Sequence, residues 1–170
     1  MAAPLLLFTS TPVKNDAGTY LTMYLQNFIT TYSVSHLTKA MFSRYRPYSY
    51  NTDIEDEIRI RSGATLSFFS AHSSLSFASA VFLSITFGKY NPSSNLTPYI
   101  WASSLLIASA VGCLRYAAGQ HFPTDIIVGA VVGSAIGYLI PLIHESSEEK
   151  GLVVPAVNPY NNLISFNIKL

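Results

Sequence analysis

The chain has 170 residues, of which 49% are hydrophobic and only 11% are charged, and its formal net charge is +1. This length suits a single domain, and the near-neutral charge excludes the basic field that nucleic-acid binding requires. The single cysteine, Cys113, excludes an internal disulfide.

Four segments that are almost free of charge have the length of a membrane-spanning helix, which is about 20 mostly apolar residues. In chain order they lie near 17–38, 64–87, 98–114 and 124–143. The first is polar on one side, which is typical of a helix packed inside a bundle. The sequence therefore predicts an all-α fold, a polytopic helical membrane bundle over residues 1–150, followed by a tail over 151–170. A compact soluble helical domain is the alternative, but a chain of this length has difficulty burying four such segments without lipid.

The first polar cluster follows the first segment and consists of Lys39, six residues and then Arg46-Pro47. Seven residues are close to two helical turns, so a helix end would place both cations on one side. Pro47 is expected to end that helix, because the residue before a proline avoids the helical region. Arg and Lys both bind phosphate, one as a fork of donors and the other as a point charge.

The second cluster is Ser70-Ala71-His72, at the start of an apolar run. Ser70 is a candidate helix N-cap. A helix that begins there directs the backbone N–H groups of Ala71 and His72 outward, as in phosphate sites at helix N-termini. His72 in the first turn is then a candidate general acid for a leaving oxygen.

The third cluster is Arg115, five residues, His121, three residues and Asp125. Pro123 is favoured at the first position of a helix, which puts Asp125 in the first turn, where it can reach back to the imidazole. A carboxylate on one ring nitrogen fixes the tautomer and leaves the other nitrogen free to attack. We therefore expect His121 to be a nucleophile and Asp125 to orient it.

Each cluster also has a purely structural interpretation. A single histidine in an apolar segment is usually a packed or hydrogen-bonded residue. Lys39, Arg44 and Arg46 are candidates for interfacial anchors at a helix end, and Arg115 and Asp125 for a structural ion pair. Geometry favours a common site, because helices that cross the membrane alternately bring all three clusters to one face.

These residues closely resemble the type 2 phosphatidic acid phosphatase superfamily, which also contains vanadium haloperoxidases. Its signatures are Lys-x6-Arg-x-Pro-like, Pro-Ser-Gly-His and Ser-Arg-x5-His-x3-Asp. The resemblance implies that His121 is the nucleophile, His72 the acid and Asp125 the partner of His121, with no metal and no cofactor. It also implies a phosphate cradle, formed by Lys39, Arg46, Ser70, the Ala71 backbone and Arg115.

Three positions depart from the family pattern. Phe69 replaces Pro, which alters the entry to the loop; Ala71 replaces Gly, which matters if the backbone needs a positive φ; and Leu114 replaces Ser, which removes a hydroxyl. Membrane members of the family usually have six helices, so we also expect that one or two N-terminal helices are missing. The apolar run 1–8 is too short to span a membrane and does not resemble a secretory signal.

The expected function is metal-independent hydrolysis of a phosphate ester or pyrophosphate on a membrane lipid through a phosphohistidine. Candidate substrates are phosphatidic acid, phosphatidylglycerol phosphate, undecaprenyl pyrophosphate and lipid A. The alternatives are a phosphotransferase that acts on a lipid or sugar phosphate, and a catalytically silent membrane protein that binds phospholipid. The expected partners are the phosphorylated lipid and the bilayer, with no nucleic acid and no evident obligatory protein partner.

Two observations lead to opposite predictions for the orientation of the chain in the membrane. The 39–62 loop holds five Lys and Arg residues, which argues for the cytoplasmic side. Some of these are assigned to phosphate, however, and the similar bacterial family members face the periplasm. We therefore expect an integral protein of the bacterial inner membrane with its site on the periplasmic side.

Three further features are expected to be structural. Gly129, Gly133 and Gly137 are spaced four residues apart, so that another helix can approach closely. We expect them to pack within the bundle, against the Ser- and Ala-rich segment 102–112, rather than to form a dimer contact. The acidic run 53–57 is expected to be a solvated face, and the alternating residues of the tail a short strand or interfacial segment.

Overall fold

Four long helices make up most of the computed structural model, which describes residue 13 and residues 16–149, 155–157 and 164–166. The long helices are α1 (Ala17–Met41), α3 (Ala71–Tyr90), α4 (Thr97–Ala117) and α5 (Pro123–Glu149). The loop between α1 and α3 carries a 3₁₀ turn (Pro47–Tyr50) and a single-turn helix, α2 (Asp56–Arg59). Two short strands, β1 (Pro155–Val157) and β2 (Ile164–Phe166), pair antiparallel in the tail. The prediction of an all-α fold is confirmed, and the apolar run 1–8 lies outside the described residues.

The helix starts follow local signals in the sequence. Ser70 caps α3, and its hydroxyl oxygen accepts a hydrogen bond from the backbone N–H of Ser73 at 3.3 Å. Pro98 lies in the first turn of α4 and Pro123 is the first residue of α5, where a missing N–H has no consequence. Because of this cap, α3 begins at residue 71. The distribution of charge predicts an earlier start, near residue 64.

Helix α1 ends earlier than predicted. It stops at Met41, five residues before Arg46, because Phe42 adopts an extended conformation. Arg46 is itself extended, and Pro47 begins the 3₁₀ turn. The prediction that Lys39 and Arg46 share a helix end is therefore wrong, and the two cations meet through the fold of the loop.

Helix α3 lies at the centre of the bundle and packs against α1, α4 and α5. The closest approach is to α5, along the glycine stripe. A Cβ added at Gly133 would lie 2.0 Å from the carbonyl oxygen of Ser74, and one at Gly137 would lie 2.4 Å from that of Ala78. The glycines thus pack within the bundle, as predicted, but against α3 and not against 102–112. Only a residue without a side chain permits this contact between backbones.

One face of α1 is polar and buried. Residues at four-residue spacing point toward the bundle interior: Asn27, Thr31, Ser35 and Lys39. The hydroxyl of Ser35 hydrogen-bonds that of Ser74 on α3 at 2.9 Å, and the hydroxyls of Thr31 and Ser35 also donate to carbonyl oxygens one turn earlier in α1. The polar side of the first segment therefore packs inside the bundle, as its sequence indicates.

Among the residues that the structure describes, three helices are long and apolar enough to cross a membrane: α3, α4 and the part of α5 up to Glu145. Large apolar side chains on α4 and α5 are exposed, among them Leu106, Ile107, Ile127 and Val131. Lipid is the environment that suits such a surface, and the chain is therefore membrane-associated. Helix α1 has the length of a span but does not belong to this set, since its polar stripe lowers its hydropathy.

The far end of the bundle is closed by aromatic packing. Tyr20 and Phe82 are almost fully buried, and their ring centroids lie 5.4 Å apart. Lys89 at the end of α3 forms an ion pair with Glu145 of α5, with nitrogen and oxygen 2.5 Å apart. A helix of 20 residues is about 30 Å long, so these contacts lie far from the start of α3 and from the site described below.

Candidate functional site

The N-termini of α3 and α5 are joined directly. The backbone N–H of Ser70 donates to the carbonyl oxygen of Asp125 at 3.1 Å, and the Ser73 hydroxyl donates to the carbonyl oxygen of Ile126 at 2.9 Å. The second and third polar clusters therefore meet at one end of the bundle. Ala71 is the first residue of α3 and has helical geometry, so its departure from the family's glycine introduces no backbone strain.

The loop after α1 brings the first cluster to the same place. Arg44 and Leu66 form an isolated parallel β-bridge, and the backbone N–H of Arg46 donates to the carbonyl oxygen of Ala64 at 2.8 Å. Tyr48 also donates its backbone N–H to the Gly119 carbonyl oxygen, at 3.1 Å. The loop thus packs against the segment between α4 and α5.

The three predicted cations share two oxygen acceptors. The Nζ of Lys39 donates to the carbonyl oxygen of Leu66 at 3.2 Å, and one guanidinium nitrogen of Arg46 lies 3.5 Å from the same oxygen. The Oε1 of Gln120 accepts hydrogen bonds from both Arg46 and Arg115, at 3.4 Å for the latter. The Nε of Arg115 is buried and has no acceptor within the described part of the chain. These donors form a cationic cluster joined through Leu66 and Gln120, and Arg and Lys are the side chains that bind phosphate oxygens.

The environment of Lys39 reflects this crowding of positive charge. Its side chain is 7% exposed. Burial, and then the charges of Arg46 and Arg115, lower the pKa of Lys39 to about 8. The ammonium group is therefore charged at neutral pH and begins to lose its charge in mildly alkaline solution.

His121 is almost completely buried, and its ring orientation is fixed. The Nδ1 atom lies 2.8 Å from the carbonyl oxygen of Ser67. A carbonyl oxygen only accepts, so Nδ1 carries the proton and the neutral ring has its lone pair on Nε2. Burial and the positive charges of Lys39 and Arg46 lower the pKa of His121 to about 4, which keeps the imidazole neutral at physiological pH.

Asp125 lies beside His121, but it contacts the imidazole through Ser67 and makes no direct hydrogen bond to it. Its Oδ2 lies 3.8 Å from Nδ1 of His121 and instead accepts the Ser67 hydroxyl at 2.6 Å and the backbone N–H of Phe122 at 3.0 Å. The other oxygen pairs with Arg44 at 2.6 Å. Asp125 thus holds Ser67, whose carbonyl oxygen in turn holds His121. The contact with Phe122 is the acidic half of a capping box, because Asp125 is the third residue of α5.

The alternative ion pair between Arg115 and Asp125 is not formed, because Arg44 occupies that position. Arg44 also donates to the Thr124 hydroxyl at 3.0 Å, and its guanidinium lies 4.3 Å from the centre of the Phe122 ring. The sequence indicates Arg44 only as a candidate interfacial anchor. Its position two residues before Arg46 in an extended segment was the available signal, since such residues point to the same side.

Ser67 and Gln120 were not predicted at all. Neither has a spacing relationship to the three clusters that the sequence could reveal, although Gln120 directly precedes His121. His72 is the second residue of α3 and so lies at the same end of the bundle. All eight predicted site residues thus lie at the end of the bundle where α3 and α5 begin.

The carboxylate residues of the acidic run 53–57 are exposed. Within the described residues no three His, Cys, Asp or Glu side chains are grouped as a metal site would require. Cys113 on α4 is also exposed.

The pKa of Lys39 gives a testable pH dependence. A lysine with a pKa of about 8 is about one-tenth charged at pH 9. We therefore expect kcat/KM of the wild type for a phosphate-ester substrate to be about tenfold lower at pH 9 than at neutral pH, because Lys39 has lost its charge. Lys39→Arg keeps its charge at this pH, and we expect its kcat/KM to fall correspondingly less. Bound phosphate holds the lysine protonated, so the effect belongs to KM rather than to kcat. A Lys89→Arg variant, at the far end of the bundle, serves as the control, and identical profiles for all three proteins would contradict the assignment.

Comparison with known proteins identifies a family that matches most of the chain. The protein-family model described as the PAP2 superfamily matches residues 19–149, which include every residue of the cluster. No curated protein and no solved structure matches the chain.

Proposed function

Since this chain belongs to the PAP2 superfamily, whose members are generally phosphatases, we propose that it hydrolyses a phosphate ester or pyrophosphate on a membrane lipid through a phosphohistidine, without a metal ion. One observation carries the proposal. A buried imidazole, neutral and protonated at Nδ1, lies where the charges of Lys39 and Arg46 act on it, and Gln120 links Arg46 to Arg115. In the described residues these three cations have no carboxylate among their hydrogen-bond partners. Such a cluster neutralises a phosphate group and leaves a lone pair free to attack it.

In the first step of the proposed reaction, Nε2 of His121 attacks phosphorus. The bond between phosphorus and the lipid oxygen breaks, and His72 donates a proton to that leaving oxygen. The positive charge that His121 acquires is compensated by the phosphoryl group now attached to it. Lys39, Arg46 and Arg115 stabilise the additional charge on the phosphoryl oxygens, together with the backbone N–H groups at the start of α3.

In the second step, water replaces the lipid alcohol. His72, now neutral, takes a proton from the water as its oxygen attacks phosphorus, and the bond between phosphorus and Nε2 breaks. Inorganic phosphate leaves and His121 returns to its starting tautomer. Ser67 keeps the imidazole in one orientation through both steps, and Asp125 and Arg44 act as positioning residues behind it.

The position of the cluster relative to the membrane-spanning helices supports a lipid as the substrate. The cluster lies where two helices of membrane-spanning length begin, α3 and α5, so a phosphate attached to a lipid headgroup is at the right depth. We place the site on the periplasmic side of a bacterial inner membrane. The positive-inside count that opposes this placement is weakened, because Lys39 and Arg46 belong to the phosphate cluster and Arg44 pairs with Asp125.

A detergent assay with a chelator present tests the proposed function. We expect release of inorganic phosphate from phosphatidic acid or undecaprenyl pyrophosphate, at a rate that the chelator does not change. Vanadate, which mimics five-coordinate phosphorus, is expected to inhibit. Activity that disappears with the chelator and returns with a divalent ion would contradict the metal-free reaction.

The rival functions differ in where the phosphoryl group goes. A phosphotransferase moves it to another lipid or sugar, so transferred phosphate would exceed free phosphate in the same assay when an acceptor is supplied. A silent binding protein would release neither and would still retain phosphorylated lipid.

A further inference from the structure

A cavity of about 320 Å³ opens directly beside the catalytic cluster. Ala71 and His72, the first two residues of α3, form its start, and it continues along α3 to Ala80. Nine residues of helix correspond to about 14 Å. This is close to half of the ~30 Å hydrocarbon core of a bilayer, so the cavity has the depth of one leaflet.

The walls of the cavity are contributed by three helices. Leu75 and Ser79 extend its floor along one side of α3, and Ile107 and Val111 form the wall from α4. Tyr32 of α1 closes the opposite side together with His36, and the two rings are tilted by 34° with their centroids 4.1 Å apart. The space exists because the residues at the base of the cavity are small.

The exposed surface of the cavity is mostly apolar, and its polar groups are the hydroxyls of Tyr32 and of three serines (Ser76, Ser79 and Ser104) and two imidazoles, His36 and His72. Ser104 lies in it, but its hydroxyl is engaged with Ser84 at 2.9 Å and with the carbonyl oxygen of Trp101 at 3.2 Å. A long apolar slot of this kind has little to offer a polar ligand and favours a hydrocarbon chain. The end of the cavity at the start of α3 is formed by His72, which belongs to the phosphate site.

We infer that this slot binds one hydrocarbon chain of the phosphorylated lipid, with the phosphate at the cationic cluster and the chain lying along α3 between α1 and α4. The inference rests on the proposed function and specifies its substrate class. The continuity of the slot with the cluster at His72 identifies the occupant, since a chain in the slot and a phosphate in the cluster are parts of one molecule. It also predicts that chain length contributes to specificity, because the slot ends near Ala80.

Filling the slot tests the inference. Ser79→Phe places an aromatic ring in its middle, and Ser109→Phe places the same ring on an exposed position of α4 that does not line it. The substrates are phosphatidic acids of graded acyl length, in mixed micelles, and p-nitrophenyl phosphate, which has no chain. For Ser79→Phe we expect kcat/KM on the long-chain lipid to fall about tenfold or more, as excluding two or more methylenes from an apolar site requires. Turnover of p-nitrophenyl phosphate is expected to stay within about twofold, and Ser109→Phe to resemble the wild type with both substrates.

The outcomes separate this inference from the proposed function. A wild type that hydrolyses neither substrate contradicts the proposed function itself. If the wild type hydrolyses both substrates and Ser79→Phe loses both activities equally or loses neither, the inferred slot is wrong but the proposed function is not. A preference for chain length that is the same in the wild type and in Ser79→Phe also overturns it, because the chain then remains in the bilayer.

Discussion

Replacing His121 with asparagine is expected to abolish phosphate release, with a loss on the order of 10⁴-fold or more, as for other catalytic nucleophiles. Asparagine retains an N–H donor that can reach the carbonyl oxygen of Ser67, so the loop keeps its anchor. It has no nitrogen lone pair that can attack phosphorus. The measurement is the initial rate of phosphate release in detergent, with the thermal unfolding midpoint recorded as a control for folding.

A second variant distinguishes a nucleophile from a residue that only binds. His72→Ala removes the proposed acid and the base for the water step, which we expect to lower kcat by about 10²- to 10⁴-fold on a lipid substrate. With p-nitrophenyl phosphate the leaving group needs no proton, so the first step continues while the second is slow. Radiolabelled phosphate is then expected to accumulate on the protein as an acid-labile, alkali-stable adduct that His121→Asn lacks. Normal turnover by His121→Asn would remove this residue from the nucleophile role.

Replacing Gly133 with alanine is expected to destabilise the bundle strongly. The new Cβ would lie 2.0 Å from the carbonyl oxygen of Ser74 and 2.8 Å from its Cα, and backbone atoms of a helix cannot move aside as a flexible side chain does. Helices α3 and α5 must then separate, at a cost of about 1–3 kcal/mol or more, as for overpacked cores. The measurement is the thermal unfolding midpoint in detergent.

Gly88→Ala provides the matched control for this experiment. Gly88 also lies in a long helix, but the nearest atom to its added Cβ is Cγ2 of Thr97, at an ordinary contact distance of 3.4 Å. Alanine is up to about 1 kcal/mol more favourable than glycine in a helix, so this variant is expected to be neutral or slightly stabilised. Equal unfolding midpoints for the two variants would show that the contact between α3 and α5 tolerates a methyl group.

The glycine stripe and the catalytic residues are parts of one feature. Asp125, Gly129, Gly133 and Gly137 recur every fourth residue and are all buried, so they lie along one face of α5. The close contact that the glycines permit also sets the distance between the starts of α3 and α5, where His72 and Asp125 lie. We therefore expect Gly133→Ala to lose activity even in the fraction that remains folded.

The sequence by itself determined the helices and the location of the site. The starts of α3, α4 and α5 were encoded locally by Ser70, Pro98 and Pro123, because capping and the missing proline N–H act within a single turn. The number of long helices then placed the three polar clusters at one end of the bundle. The end of α1 was predicted less well, since an extended Phe42 has no comparable local signal.

The tertiary structure alone decided how the site residues are connected. Asp125 binds Arg44 and Ser67, which are 81 and 58 residues away in the chain, and His121 is oriented by the Ser67 carbonyl. Gln120 joins Arg46 to Arg115, and the glycine stripe faces α3 rather than α4. Helical periodicity specifies which residues share a face, but not which neighbouring helix or loop that face meets. Hydrogen bonds between distant segments depend on the packed distances between them, and these are set only when the whole bundle has formed.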